Sequence, residues 1–392
     1  MNKIISFIKR EPVLFAAITL AVLSVIIVRP SLQICIQAID FRTLAILFSL
    51  MIVIKAFQSQ NFLDYIAVRL LRLCKTQRSL YFLLTYIVFF SSMFVTNDVA
   101  LLTFVPISLL IFSRIEFPSL KLIVLETLAA NLGSCITPMG NPQNLYLFSY
   151  YNFSALEFFA LTAKIAVPSL FILAIMILFI TKKPAGSSRS SQQISGNILQ
   201  NQITFVKVDF RTFFYLADFI ICLLTVFHVV NYISMLIFTI AAMLICNFRL
   251  FKSVDYSLLL TFIGFFIFTK TLSTVQQFSD FINAMLSSPL KTYITGIAAS
   301  QIISNVPAAL LLSGFTQNGA MLLLGVNVGG LGTLIASMAS VISFKLYNNS
   351  PEAQTPAGKK YFAVFTLYNL VLLVILGLIV FFLTIEQIPA FC

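Results

Sequence analysis

The chain has 392 residues, of which 59% are hydrophobic and 10% charged, with a mean hydropathy of +0.99 and a formal charge of +12. That composition excludes a water-soluble globule and indicates a polytopic membrane protein. The Lys and Arg residues are dispersed between apolar runs instead of forming one basic face, so the positive charge serves topology and not nucleic-acid binding. Six cysteines without paired spacing and a single histidine, His228, suggest neither a disulfide framework nor a zinc site.

Lys3, Lys9 and Arg10 precede an apolar stretch that ends at Arg29-Pro30 with no small-x-small cleavage signal, which reads as a retained first span. Full spans are predicted near Pro12–Val28, Thr43–Phe57, Leu120–Phe148 (broken), Leu161–Thr181, Phe213–His228, Tyr232–Cys246, Val254–Thr269, Ala320–Leu346 (broken) and Tyr361–Leu383. These are about nine full spans, or 10–12 by hydropathy. Asp64 to Arg78 reads as an amphipathic interfacial helix. Two further apolar pairs, Leu80–Phe112 and Leu290–Gly314, carry a polar break in the middle; charge placement fits a re-entrant hairpin or two short spans equally, and the polar tip favours the hairpin. The arms Leu80–Val95 and Ala100–Phe112 would be roughly 24 and 20 Å long, below the ~30 Å hydrocarbon thickness. The segment 182–211, rich in Ser, Gln, Asn and Gly, reads as a cytoplasmic linker between a first repeat, 1–181, and a second, 212–392.

With the N-terminus in the cytoplasm, nineteen of the 25 Lys and Arg residues fall inside. Arg29, Arg42, Lys164 and Lys291 fall outside, and Lys55 and Lys270 lie within or beside spans. This positive-inside bias places the N-terminus inside and the C-terminus outside. Asp40 precedes an apolar run ending at Lys55, and Asp255 one ending at Lys270, with the same spacing. The first run enters from outside and the second from inside, so the expected architecture is an all-α inverted repeat with two re-entrant hairpins and two broken helices.

The breaks repeat as well. Thr96-Asn97-Asp98 is followed by Asn131, Gly133, Thr137, Pro138, Gly140 and Asn141; Ser304-Asn305-Val306 is followed by Asn327, Gly329, Gly332 and Thr333. Non-helical backbone at membrane depth survives only inside protein or beside a water-filled cavity. Each break presents a half-helix N-terminus that favours an anion, while carbonyls, the Thr137 and Thr333 hydroxyls and the Asn131 and Asn327 amides offer oxygens suited to Na⁺. These sixteen residues are the expected substrate- and ion-binding set, with Na⁺ at Asn97, Asp98 and Asn305. A carboxylate at membrane depth is costly, so Asp98 is read as functional, with helix capping as the alternative. Lys55 and Lys270 read as snorkelling to an interface, with substrate contact as the alternative, and His228 as structural. The polar groups form no nucleophile-base or metal-ligand set, so no enzyme is expected.

TNDVALLTFVP at Thr96–Pro106, GNPQNL at Gly140–Leu145 and SNVPAALLLSGF at Ser304–Phe315 resemble the ion-transporter superfamily. That superfamily includes divalent-anion/sodium symporters, citrate-transporter-like permeases and arsenite-pump membrane subunits. The resemblance implies Ser-Asn-Thr tips binding sodium and substrate carboxylate, and an elevator motion against a scaffold that forms a homodimer. Here the tips end in Asp98 and Val306 instead of Thr, and Asn-Asp resembles the arsenite-pump and sodium/proton-antiporter branches. The expected function is therefore secondary transport of a small anion, a di- or tricarboxylate or an inorganic oxyanion, across the cytoplasmic membrane. Na⁺ or H⁺ is the coupling ion, with no other cofactor and no nucleic-acid partner. A cation/proton antiporter using Asp98 and an arsenite-type efflux permease are the alternatives.

Overall fold

The computed structural model describes residues 11–61, 74, 76–182 and 209–385. Lys3, Lys9, Arg10, most of Asp64 to Arg78, most of the linker 182–211 and the end from Glu386 lie outside the described residues. Every regular element among the described residues is helical. In chain order these are α1 (Pro12–Val28), α2 (Leu32–Ala38), α3 (Phe41–Ser59), α4 (Gln77–Val95), α5 (Asn97–Arg114), α6 (Leu120–Ser134), α7 (Pro142–Tyr150) and α8 (Ala155–Ile180). The second half contributes α9 (Phe210–Val226), α10 (Tyr232–Asn247), α11 (Tyr256–Leu272), α12 (Gln276–Met285), α13 (Pro289–Ile303), α14 (Asn305–Ser313), α15 (Gly319–Val328), α16 (Met338–Asn348) and α17 (Tyr361–Ile385).

Among the described residues, six helices are long and apolar enough to cross a membrane, or up to seven if α11 and α12, bent by 106°, are one span. The nine full spans expected from the sequence include α1, α9 and α11, which are only 17 residues each. The arms of the first hairpin are longer than the sequence suggested. α4 has 19 residues and α5 has 18, so each is long enough to cross. The second hairpin's α14, with 9 residues, is only about 14 Å long and is not. The sequence pattern underestimated α4 because Thr76 and Ser79 form a capping box that starts it in polar sequence, and α5 because its first turn takes in the polar Asn97 and Asp98 of the tip.

The halves use the same local chemistry. Asp40 and Asp255 are N-caps of α3 and α11, accepting from Thr43 N and Leu258 N at 3.0 Å, with φ/ψ of −82°/88° and −80°/85°. Packing repeats too, with partners exchanged between halves. Helix α4 lies against α6 as α13 lies against α15, and α5 packs on α16 as α14 packs on α7. Likewise α3 packs on α9 and α10, while α11 packs on α1 and α2.

The first arms of the broken helices occupy the centre. Every residue of α6 except Lys121 is buried, and every residue of α15 except Ala320. Such depth requires close backbone approach. A Cβ on Gly133 would lie 2.0 Å from the Phe89 carbonyl oxygen and 2.6 Å from Ser92 Oγ, and one on Gly329 would lie 2.7 Å from Ser300 Oγ. Ser92 and Ser300 each stand five residues before the Asn of their tip.

Candidate transport site at the first tip

Each hairpin turns on a single residue. Thr96, between α4 and α5, has φ 72° and ψ 153°; Ser304, between α13 and α14, has φ 76° and ψ 153°. This region is essentially reserved for glycine and costs of order 1–3 kcal/mol elsewhere, so both halves hold the same strained turn. The strain is held by clamps from the breaks. The Thr137 hydroxyl donates to the Met93 carbonyl, and the Thr333 hydroxyl donates to the Gln301 carbonyl at 3.1 Å. Asn97 N donates to the Gly140 carbonyl at 3.2 Å, tying the tip to the break directly.

The break Cys135–Asn141 is bracketed by Asn144, whose Nδ2 donates to the carbonyls of Ser134 at 3.4 Å, Cys135 at 2.9 Å and Thr137 at 3.2 Å. Asn141 caps α7 by accepting from Asn144 N at 2.9 Å, and Pro142 occupies the first turn. In the second break the corresponding work falls to Gln301, whose Nε2 donates to Gly329 O at 2.7 Å and Leu331 O at 3.0 Å and whose Oε1 accepts from Thr333 N at 2.9 Å. Gly332 needs its φ of 102° to pass this bracket.

The breaks also bond to each other. Asn327 Nδ2 donates to Asn144 Oδ1 at 2.7 Å, and Asn141 Nδ2 donates to Asn327 Oδ1 at 3.3 Å. Asn131 Oδ1 accepts from Asn97 Nδ2 at 3.3 Å and from Ser337 Oγ at 2.9 Å, while its Nδ2 donates to Ser340 Oγ at 3.3 Å. The structure thus brings Asn97, Asn131, Asn141 and Asn327 into buried networks that cross between the halves. Asn144, Ser337 and Ser340 carry those networks and Gln301 braces the second break; all four are absent from the sequence-derived set.

Beside the first tip lies a cavity of about 160 Å³, lined by Thr96, Asp98, Met139 and Asn141, by Leu47 to Lys55 of α3, and by Ser253, Asp255 and Leu258 at the start of α11. That is room for about five waters. Asp98 sits in the first turn of α5, where the helix dipole favours an anion, yet its Oδ1 is buried without a hydrogen-bond partner. The helix's N-cap is Thr96, not Asp98, and makes no side-chain cap bond. A carboxylate serving only as a cap would spend its oxygens on backbone N–H groups. Asp98 instead lines the cavity with Oδ1 buried and unpartnered.

Lys55, expected at an interface, lines the same cavity, whereas its repeat counterpart Lys270 is exposed. The second half-site is closed in by neighbours. Asn305 and Val306 are buried, and a Cβ on Gly330 would lie 2.9 Å from Asn305 Nδ2. Ser304, Asn305, Val306, Asn327, Gly329, Gly332 and Thr333 are not among the residues lining the Asp98 cavity, and neither are Asn97, Asn131, Gly133, Thr137, Pro138 and Gly140. His228, in the turn after α9, stands 3.4 Å from Arg42 Nη1; burial, and then the Arg42 charge, hold it below the ordinary histidine range. Glu126, fully buried in α6 and hydrogen-bonded by Ser108, was not singled out in the sequence.

Single-residue tips, paired broken helices and a cavity lined by Asp98, Asp255 and Lys55 among apolar helices fit the class of membrane transporters built on broken helices. The chain belongs to the citrate transporter family, which it matches over residues 4–321. It is 36% identical over 315 residues to an uncharacterized transporter of Methanocaldococcus jannaschii, covering 80% of this chain and 82% of that one. Identity to the inner membrane protein YbiR of Escherichia coli is 29% over 314 residues, 80% of this chain and 81% of YbiR. A shorter stretch of 131 residues, 33% of this chain and 16% of the relative, is 33% identical to the human P protein.

Proposed function

We propose that the chain is a secondary active transporter that carries a small anion across the cytoplasmic membrane, coupled to Na⁺ or H⁺ held at Asp98. The observation that carries this reading is the Asp98 carboxylate, open to the cavity at the tip with one oxygen buried and unpartnered. An ion at that oxygen supplies the partner that a carboxylate at membrane depth requires. The start of α5 adds backbone N–H groups and a positive dipole end for the anion. The exchanged packing of matched helices supports an inverted repeat of 1–181 and 212–392 about a linker, and with it an elevator motion of hairpins and broken helices in a scaffold that dimerises. The inner-membrane name of YbiR supports the same location here.

A second reading is cation/proton exchange at Asp98 with no anion. It is favoured by the charges lining the cavity, Asp98 and Asp255 against Lys55. Proteoliposome uptake under an imposed Na⁺ or pH gradient, with candidate di- and tricarboxylates and oxyanions present or absent, separates the two. The first reading expects flux only with an anion; ion exchange that needs none overturns it in favour of the second.

A further inference from the structure

Lys55 is a lysine four residues from the C-terminal end of an apolar helix, and its surroundings are unequal between the halves. The half that keeps a carboxylate at its tip, Asp98, holds Lys55 in the cavity wall; the half with Val306 at the tip has Lys270 exposed. The cation is kept at the cavity where the carboxylate is kept. Among the described residues Lys55 has no carboxylate in ion-pair contact, so it shares the cavity wall with two acids without being locked to either. Asp98 lies at the tip with Oδ1 buried, and Asp255 is exposed, one oxygen accepting from Leu258 N. Lys252 beside Ser253 and Lys345 on α16 are exposed and do not line the cavity.

We propose that Lys55 is a tethered cation for the Asp98 site: with no coupling ion bound its ammonium swings to Asp98, and Na⁺ or H⁺ enters by displacing it toward Asp255. The inference rests on the reading that Asp98 holds the coupling ion. A lysine suits this exchange because its ammonium is a compact point charge on a flexible four-carbon stem. The device answers an electrostatic problem. Two carboxylates and one ammonium leave the empty cavity at minus one, and one monovalent ion brings it to zero. Without the ammonium the same two states stand at minus two and minus one, and the empty site resists passage through an apolar surround. One monovalent cation per Asp98 site follows as the coupling unit.

The test uses the full-length protein in proteoliposomes, driven by whichever gradient, Na⁺ or pH, drives flux in the wild type. Lys55→Met removes the charge and keeps most of the stem; Lys55→Arg keeps the charge. Removing the competing cation should lower the KM for the coupling ion about tenfold and slow net flux about tenfold while leaving ion-for-ion exchange near wild type. Lys55→Arg should restore the wild-type balance of net flux to exchange. An unchanged KM and unchanged balance in Lys55→Met at normal protein levels overturns the proposal, as does loss of exchange along with net flux. Asp98→Asn, run beside them, keeps the two ideas apart: if it leaves ion dependence intact, the Asp98 reading itself fails. If Asp98→Asn abolishes coupling and Lys55→Met changes nothing, only the tethered cation fails. A wild type driven by neither gradient removes the coupling reading.

Discussion

Thr96 and Ser304 hold the same backbone conformation, φ 72° and ψ 153° against φ 76° and ψ 153°, each as the single residue joining two helices. Neither is glycine, although the conformation is close to glycine-only. Strain of this kind persists only where its surroundings over-determine it, and here the clamps from Thr137 and Thr333 do so. Thr96→Gly should therefore stabilise the folded protein by about 1 kcal/mol while lowering uptake, because the tip loses its fixed geometry. Thermal unfolding in detergent and proteoliposome uptake, measured on one preparation, check both halves of the statement; a lower melting temperature would show that the turn is not strained.

Asp98→Asn keeps the side chain's size and removes its charge. Coupled uptake should fall to background with membrane insertion and melting temperature near wild type, since the carboxylate caps nothing and Oδ1 has no partner to lose. Full coupled uptake in the variant would return Asp98 to a structural role.

Gly133→Ala places a methyl 2.0 Å from the Phe89 carbonyl oxygen, backbone that side-chain motion cannot relieve. The α4–α6 contact must open, at a cost of about 3 kcal/mol or more, and the variant should fail to accumulate or should melt far earlier. Gly377→Ala is the matched control, because its nearest neighbour, Val328 Cγ1, stands 4.0 Å away. Similar melting temperatures for the two variants would contradict the close packing.

Asn144→Ala leaves the carbonyls of Ser134, Cys135 and Thr137 without their shared donor, and Asn327 Nδ2 without one acceptor, in a fully buried region. At about 1–3 kcal/mol for each buried group left unpaired, the loss should exceed that of most single substitutions. Glu352→Ala should cost less, about 1–2 kcal/mol. Its carboxylate accepts from Ser119 N at 2.9 Å and Leu120 N at 3.3 Å and so caps α6 from the second half. Melting temperatures in one detergent rank the two; Glu352→Ala as the more damaging would reverse the argument.

Both tips were legible in the sequence because Asn-centred polar triplets interrupt apolar runs. The breaks were legible because Gly and Pro cannot continue a helix. Asn144 lay inside the GNPQNL motif, but nothing in that string says that one amide serves three carbonyls. Gln301 sits one residue past Ser300 in a helix with no polar face to single it out, and its role follows only from the approach of Gly329 and Leu331. The shared spacing of Ser92 and Ser300 before their tips was available and is the signal that would have found the α4–α6 and α13–α15 contacts.

Composition and pattern alone place the chain in a bilayer, make it helical and gather its polar groups at two doubled breaks. Hydrocarbon forces backbone hydrogen bonds inward and makes every charge conspicuous, so these features are local. Which charges share a cavity depends on how the helices pack. Lys55, Asp98 and Asp255 come from three helices distant in the chain, and nothing local to any of them distinguishes Lys55 in a cavity wall from Lys270 at an exposed surface. Packing between the halves makes that distinction, and with it turns a symmetric sequence motif into an unsymmetric charged site.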